Sequence, residues 1–204
     1  MKLYEFALAP NPRRVRIFLA EKGIEVPKAQ VNLREAEQLK PEFLAINPAG
    51  GVPVLQLDDG GYLAESDAIA LYLERLHPEP NLLGRDAREQ ATILMWERRI
   101  ELNLYVRVLH AFQHGHPLSA ARMKKQIKEY AEFQRDALVE QLGWMNQQLS
   151  GREFIAGPRF TLVDITALVT IDFGQQVEAL KLDPAHKELA RWYDAVSSRP
   201  SAGA

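Results

Sequence analysis

The sequence predicts two domains, a small α/β domain followed by an all-helical one. Three observations carry that prediction. Pro53-Val-Leu-Gln-Leu57 and Tyr62-Leu-Ala64 are short apolar runs joined by Asp58-Asp-Gly-Gly61. Asp-Gly between alternating apolar residues is a strong hairpin signal, because glycine supplies the positive φ that the turn needs. Upstream, two short strand patterns flank a well-bracketed helix, a βαβ unit. From about Arg85 onward no strand pattern returns.

Taken in order, residues 2–7 (KLYEFA) are short, apolar and aromatic and read as the first strand. Residues 13–22 place Val15, Phe18 and Leu19 on one side of a helix. Asn11 as N-cap, Pro12 at the first helical position and Gly23 beyond the end bracket it. A second strand near residues 29–33 completes a crossover expected to be right-handed, with the two strands parallel. Residues 35–45 read as weakly helical or irregular. After the hairpin, Ser66 opens a helix with Ile69, Tyr72, Leu73 and Leu76 on one face at i, i+3, i+4, i+7. The order β-α-β-α-β-β-α is the thioredoxin-like arrangement.

Pro78-Glu-Pro80 and Asn81-Leu-Leu-Gly84 break the helical pattern and read as a linker (residues 79–84) between a domain over 1–78 and another over 85–204. Residues 88–112 and 119–149 read as two long helices separated at Pro117. Next comes Phe160-Thr-Leu-Val-Asp-Ile165, with Thr161 as N-cap, Asp164 at N3, and Phe160 and Ile165 as a hydrophobic staple. The helix that follows, to about residue 180, is apolar on most sides, as a buried helix is. A last helix near 186–198 turns Leu189, Trp192, Tyr193 and Val196 inward.

Composition excludes several classes. A formal net charge of −2 over 204 residues gives no reason to expect nucleic acid or an anionic membrane surface as a partner. No apolar run approaches the roughly 18 residues of a spanning helix, and the N-terminus lacks the basic and apolar regions of a signal peptide, so the expected location is cytoplasmic. The chain has no cysteine, which excludes disulfides, thiolate metal sites and a protein-borne redox thiol. Its five histidines show no zinc-binding spacing, and no metal is expected.

Two features go beyond folding. Pro53 heads a strand, where it cannot donate a ladder hydrogen bond. A cis Val52-Pro53 bond there would turn the Val52 backbone outward as a free recognition edge. Glu65-Ser66 sits where a strand gives way to a helix N-terminus, which favours a bound carboxylate or phosphate. The alternative role for Ser66 is to cap the helix.

Asn47-Pro48-x-Gly50-x-Val52-Pro53-x-Leu55, followed by Glu65-Ser66-x-Ala68-Ile69, resembles the glutathione-binding half of the cytosolic glutathione transferases. The capping motif at 160–165 extends the resemblance over nearly the whole chain. It implies a thioredoxin-like domain joined to an all-α domain, a homodimer, glutathione as co-substrate, and a hydrophobic small-molecule acceptor. By the same resemblance Val52, before a cis Pro53, pairs with the cysteinyl backbone of glutathione. Glu65 and Ser66 then hold its γ-glutamyl group, and Gln38 contacts its glycine carboxylate. Tyr105, Val108, Leu109 and Phe112 are candidates for the acceptor wall, or else ordinary core.

The sequence also departs from the family. The hydroxyl residue expected after the first strand is Ala9, and a lysine common before the Val-Pro pair is Gly51. Ala9-Pro10-Asn11 resembles the Nu-class pattern Thr-Pro-Asn, in which both polar residues face the sulfur; only Asn11 remains. A free thiol titrates near about 8.5. The Arg13 N–H lies in the first helical turn beside Asn11; one hydrogen bond to a charged group contributes roughly 1.5–3 kcal/mol, or about one to two pKa units, so Asn11 alone is expected to sustain partial activation. Asn11 as a plain helix cap is the alternative. The expected function is a glutathione transferase acting on electrophiles, peroxides or disulfides. Its rival is a glutathione-binding or interaction protein of the same fold with little catalysis.

Overall fold

The computed structural model describes the backbone of residues 1–204 and the side chains of all but Ala121. The chain forms two compact units, residues 1–82 with 200–204, and residues 83–199.

The first unit is a four-stranded sheet with helices. β1 (Lys2–Glu5), α1 (Pro10–Lys22) and β2 (Lys28–Gln30) make the βαβ crossover. Two 3₁₀ turns (Leu33–Glu35 and Glu37–Leu39) and the short α2 (Pro41–Leu44) follow. β3 (Val54–Gln56), β4 (Tyr62–Ala64) and α3 (Ser66–Leu76) complete it. The sheet order is β2-β1-β3-β4, with β1 parallel to β2 and the other pairs antiparallel. Leu57 N–H donates to Gly61 O (2.8 Å) and Gly60 adopts φ +88°, the left-handed conformation expected of the Asp-Gly turn.

Alternation along the strands splits the core. Tyr4, Val54 and Ala64 share one face with Val31, Val52 and Phe43, so the irregular segment before β3 is the cover of that face. Leu3 and Leu55, paired across β1 and β3 and fully buried, point to the other, where α1 and α3 contribute Phe18, Ile69 and Leu73. Fully burying one such side chain contributes about 1.5–3 kcal/mol. Residues 200–204, which the sequence groups with the helical domain, return to α1: Arg13 Nη2 donates to Ala202 O (2.9 Å) and Ser201 Oγ to Glu21.

The second unit is helical. α4 (Ala87–Ile100), a π-helical turn over Glu101–Tyr105 and α5 (Val106–Gly115) are continuous, so the long helix expected at 88–112 carries one wide turn. α6 (Lys128–Gln148) starts nine residues later than expected. The intervening chain instead serves the end of α5: Ser119 Oγ and Gln126 Nε2 bond Gln113 O and His116 O, carbonyls the helix leaves unpaired. α7 (Leu162–Gln176) ends before 180 because Glu178 turns left-handed (φ 54°) and Ala179 N–H closes onto Gly174 O. α8 is Lys187–Ser197, with Trp192 fully buried. The capping box at Thr161 and Asp164 is present, and Phe160 and Ile165 are both buried.

No helix, among the described residues, is long and apolar enough to cross a membrane.

Candidate functional site

Strand register gathers the candidates at one end of the sheet. Tyr4 pairs with Val54, and Val54 with Ala64. The C-terminal end of β1, the N-terminal end of β3 and the C-terminal end of β4 therefore lie side by side. Neighbouring strands are about 4.8 Å apart, so the three chain segments leaving those ends stay within a span of roughly 10 Å at the sheet. They lead respectively to Asn11, to Val52-Pro53 and to Glu65-Ser66.

The first segment differs from expectation. α1 begins at Pro10 with Ala9 as its N-cap, and no side chain caps it. Proline suits the first turn, where an N–H would have no acceptor. Asn11 therefore lies inside the turn instead of capping it. Pro10 and Pro12 have no N–H, and Arg13 N–H is taken by Ala9 O (3.4 Å). The Asn11 N–H is then the first-turn donor left over, where the sequence pointed to that of Arg13. The Asn11 side chain is half-buried, with Oδ1 enclosed and unpartnered, so Nδ2 is the outward, donating end.

The second segment is held by its own side chains. Asn47 Nδ2 donates to Gly51 O (2.9 Å) and Oδ1 accepts from Ala49 N–H (3.2 Å). Asn47 is not among the site residues the sequence points to; Asn-Pro as a turn initiator is the signal that could have found it. Gly50 has φ +63°, and a Cβ there would lie 3.2 Å from Gln38 O and 3.1 Å from a Leu39 methyl. Glycine thus lets Gln38 close against the loop, and Gln38 Oε1 is buried with no partner. The Val52-Pro53 bond is cis. Among the described residues, neither the N–H nor the C=O of Val52 enters a backbone hydrogen bond.

The third segment also departs from the expected capping. Glu65 is the N-cap of α3 without a side-chain cap bond, and Ser66 is the first helical residue. Ser66 is largely buried, but its hydroxyl has no partner among the described residues. Glu65 is exposed and adopts φ 66°, ψ 124°. A non-glycine residue there costs about 1–3 kcal/mol and persists where the surroundings require it, commonly at a ligand site.

Chemically, this end of the sheet offers an unused strand-like N–H and C=O pair at Val52, which suits an extended peptide backbone. It offers a helix N-terminus with a spare hydroxyl at Ser66, which suits a carboxylate. At Asn11 it offers donors and no base. That combination fits a short peptide with a free carboxylate and an electron-rich group at its far side.

Elsewhere three of the five histidines have structural partners: His110 Nδ1 meets Tyr130 OH (3.1 Å), while His114 Nδ1 and His116 Nδ1 accept from Ile127 N–H and Leu118 N–H. Burial, and then the neighbouring His114, push His110 below the ordinary histidine pKa. Among the described residues no group of three or more His, Asp or Glu is arranged to hold a metal. Of the acceptor-wall candidates, Val108 is fully buried and its side chain lies against Gly174 in the second unit.

Known proteins resemble nearly the whole chain. Residues 9–76 match the glutathione S-transferase N-terminal domain and residues 109–200 the C-terminal domain. Glutathione S-transferase 2 of Saccharomyces cerevisiae is 37% identical over 98% of this chain and 87% of its own. The crystal structure of a glutathione S-transferase domain-containing protein from Marinobacter aquaeolei superposes with a TM-score of 0.94 at 35% identity, covering 98% of this chain and 99% of that one. FtsZ-localized protein A of Caulobacter vibrioides is 32% identical over 97% of this chain and 87% of its own.

Proposed function

Because the chain belongs to the glutathione S-transferase family, we propose that it binds glutathione at the strand ends of its first unit and uses the thiol on electrophiles. Glutathione supplies the sulfur nucleophile, a fit with a chain that has no cysteine. The observation that carries this reading is the gathering of Asn11, Val52-Pro53 and Glu65-Ser66 at one end of the sheet by the Tyr4–Val54–Ala64 register.

In this reading Val52 pairs its free N–H and C=O with the cysteinyl backbone. Glu65, Ser66 and the N-terminus of α3 take the γ-glutamyl end, and Gln38 takes the glycine carboxylate. Asn11 aims its main-chain N–H and Nδ2 at the sulfur and favours the thiolate over the thiol. Gly51 puts no cation near the glycine carboxylate, so affinity is modest. From the family the reading also takes a homodimer, an apolar acceptor and a choice between conjugation and reduction of a peroxide or disulfide.

The deciding experiment follows thiolate ultraviolet absorbance of bound glutathione across pH. We expect a pKa at least about one unit below that of free thiol. In Asn11→Ala it should return by about one unit, with turnover down about tenfold and affinity nearly unchanged. No detectable binding would sink the reading.

Ala9 favours a second reading, a glutathione- or ligand-binding or interaction protein with little catalysis. A relative of the same length range is named for its localisation with FtsZ and not for catalysis. Binding with an unshifted thiol pKa would establish it over the first.

A further inference from the structure

Glu5, Arg16, Gln30 and the main chain of Ala7 close a ring of four hydrogen bonds beside the segment that carries Asn11. Arg16 Nη1 donates to Glu5 Oε2 (2.6 Å) and Arg16 Nη2 to Ala7 O (3.0 Å). Ala7 N–H donates to Gln30 Oε1 (3.1 Å), and Gln30 Nε2 donates to Glu5 Oε1 (2.8 Å). Three elements supply the ring. Glu5 ends β1 and Gln30 is its register partner on β2, while Arg16 comes from α1. Both polar groups of the Ala7 main chain are thereby fixed, one from each side.

We propose that Glu5, Arg16 and Gln30 are positioning residues for the sulfur end of the glutathione site, acting through Ala7 on Asn11; this rests on the glutathione reading above. Packing cannot set the path of this loop, because Ala7 is exposed and Leu8 is 56% exposed. Its shape depends on the ring and on the turn closed by Ala9 N–H to Phe6 O (2.9 Å). Beyond Ala9 the chain is stiff: Pro10 and Pro12 fix φ on both sides of Asn11. Only Leu8 and Ala9 stand between the ring and the first turn of α1, so the ring sets the path by which the chain enters that turn and reaches Asn11. The composition of the ring supports the same role. Glu5 and Arg16 keep only 3% and 10% of their side-chain surface. A buried ion pair adds little stability over an apolar pair of equal volume, so what it contributes here is a defined geometry. Ala9 brings no side chain to the sulfur, which leaves Asn11, and its aim, with the task.

The test uses Gln30→Ala first. Gln30 is exposed on an edge strand, so its removal leaves the buried Glu5–Arg16 pair in place. Gln30→Met keeps the bulk and removes the acceptor. Arg16→Lys keeps the charge facing Glu5, but an ammonium lacks the planar fork that reaches Glu5 and Ala7 together. For each, the thiol pKa of bound glutathione, the affinity for S-methylglutathione, turnover, and amide hydrogen exchange at residues 7–11 are measured. We expect the bound-thiol pKa to rise by about half to one unit and turnover to fall about threefold to tenfold. Exchange should quicken at Ala7 and Asn11, while affinity for S-methylglutathione, which has no thiol, stays within about twofold. An unchanged thiol pKa in Gln30→Ala and Arg16→Lys, or a loss of S-methylglutathione affinity as large as the loss of turnover, would overturn the proposal and leave the glutathione reading intact. A wild-type protein that binds neither compound overturns both.

Discussion

Lys22 Nζ lies 2.5 Å from Glu74 Oε2, and the lysine side chain is completely buried. Its ammonium also donates to His77 O (2.8 Å) and Pro80 O (2.6 Å). Glu74 Oε1 in turn accepts from Asn81 Nδ2 (2.7 Å) and Leu82 N–H (3.1 Å). One ion pair between α1 and α3 thus anchors the chain as it leaves the first unit. It explains why residues 79–82 belong to that unit, although their sequence reads as linker.

Lys22→Met should cost about 3–5 kcal/mol, because it leaves Glu74 buried without its cation and two carbonyls without their donor. The double variant Lys22→Met/Glu74→Leu should regain a large part of that. The urea midpoints of the three proteins provide the measurement. A double variant no more stable than the single would mean that the stranded Glu74 charge is not what destabilises Lys22→Met.

Ser66→Ala separates capping from recognition. A capping serine replaced by alanine costs typically about 1 kcal/mol of stability. Since Glu65 is the N-cap and the Ser66 hydroxyl is unpartnered, thermal stability should be unchanged while glutathione affinity falls about fivefold or more. Calorimetric titration beside a melting curve reads both quantities, and a lowered melting point with intact affinity would return Ser66 to a capping role.

Asp164→Ala should be among the most damaging single changes in the helical unit. Asp164 is fully buried and accepts from Ile155 N–H (3.1 Å), Thr161 N–H (2.9 Å) and Trp192 Nε1 (2.9 Å). Three buried donors left without an acceptor, at about 1–3 kcal/mol each, predict a loss of at least about 3 kcal/mol. Asp164→Asn retains one acceptor and should lose less. Denaturant unfolding followed at Trp fluorescence compares them.

Glu89 gives a pH dependence with a definite sign. The Arg85 main-chain N–H, and then the Arg159 guanidinium, hold its carboxyl below the ordinary glutamate value. A carboxyl with a lowered folded-state pKa contributes stability above its unfolded value, about 4.3, and loses it as the pH falls through the folded one. The melting point of Glu89→Gln should therefore lie below that of the wild type at neutral pH, and the two should converge in acid. A gap that stays constant from neutral pH to about pH 3 would remove the ionised carboxylate as its cause.

Local rules account for much of the molecule. The Asp-Gly turn and the Thr161–Asp164 box are written in neighbouring residues and form where the sequence puts them; the βαβ unit forms in the expected order, with β1 ending at Glu5 and β2 at Gln30, short of the expected 7 and 33. Helix starts are less legible. Ser66 and Asn11 are both good cap residues, yet in each case the cap lies upstream of them, because the backbone path into the helix is set by the strand before it. The start of α6 differs from expectation for a related reason: residues 119–126 have helical composition but are used to satisfy the end of α5. The ring around Ala7 has no sequence signal at all, since Glu5, Arg16 and Gln30 meet only once β1, β2 and α1 are assembled.

By itself the sequence determined the family, the order of elements and the residue types available for chemistry, including the missing hydroxyl at Ala9 and the absence of cysteine. The order of elements follows from local periodicity and turn chemistry and the absence of cysteine from composition, whereas the family and the missing hydroxyl follow from the resemblance carried by the 47–55, 65–69 and 9–11 motifs. Only the tertiary structure decided which groups are free to act. Whether the Asn11 N–H, the Val52 main chain or the Ser66 hydroxyl is already engaged depends on hydrogen bonds between segments distant in the chain, and those bonds are fixed by strand register and packing.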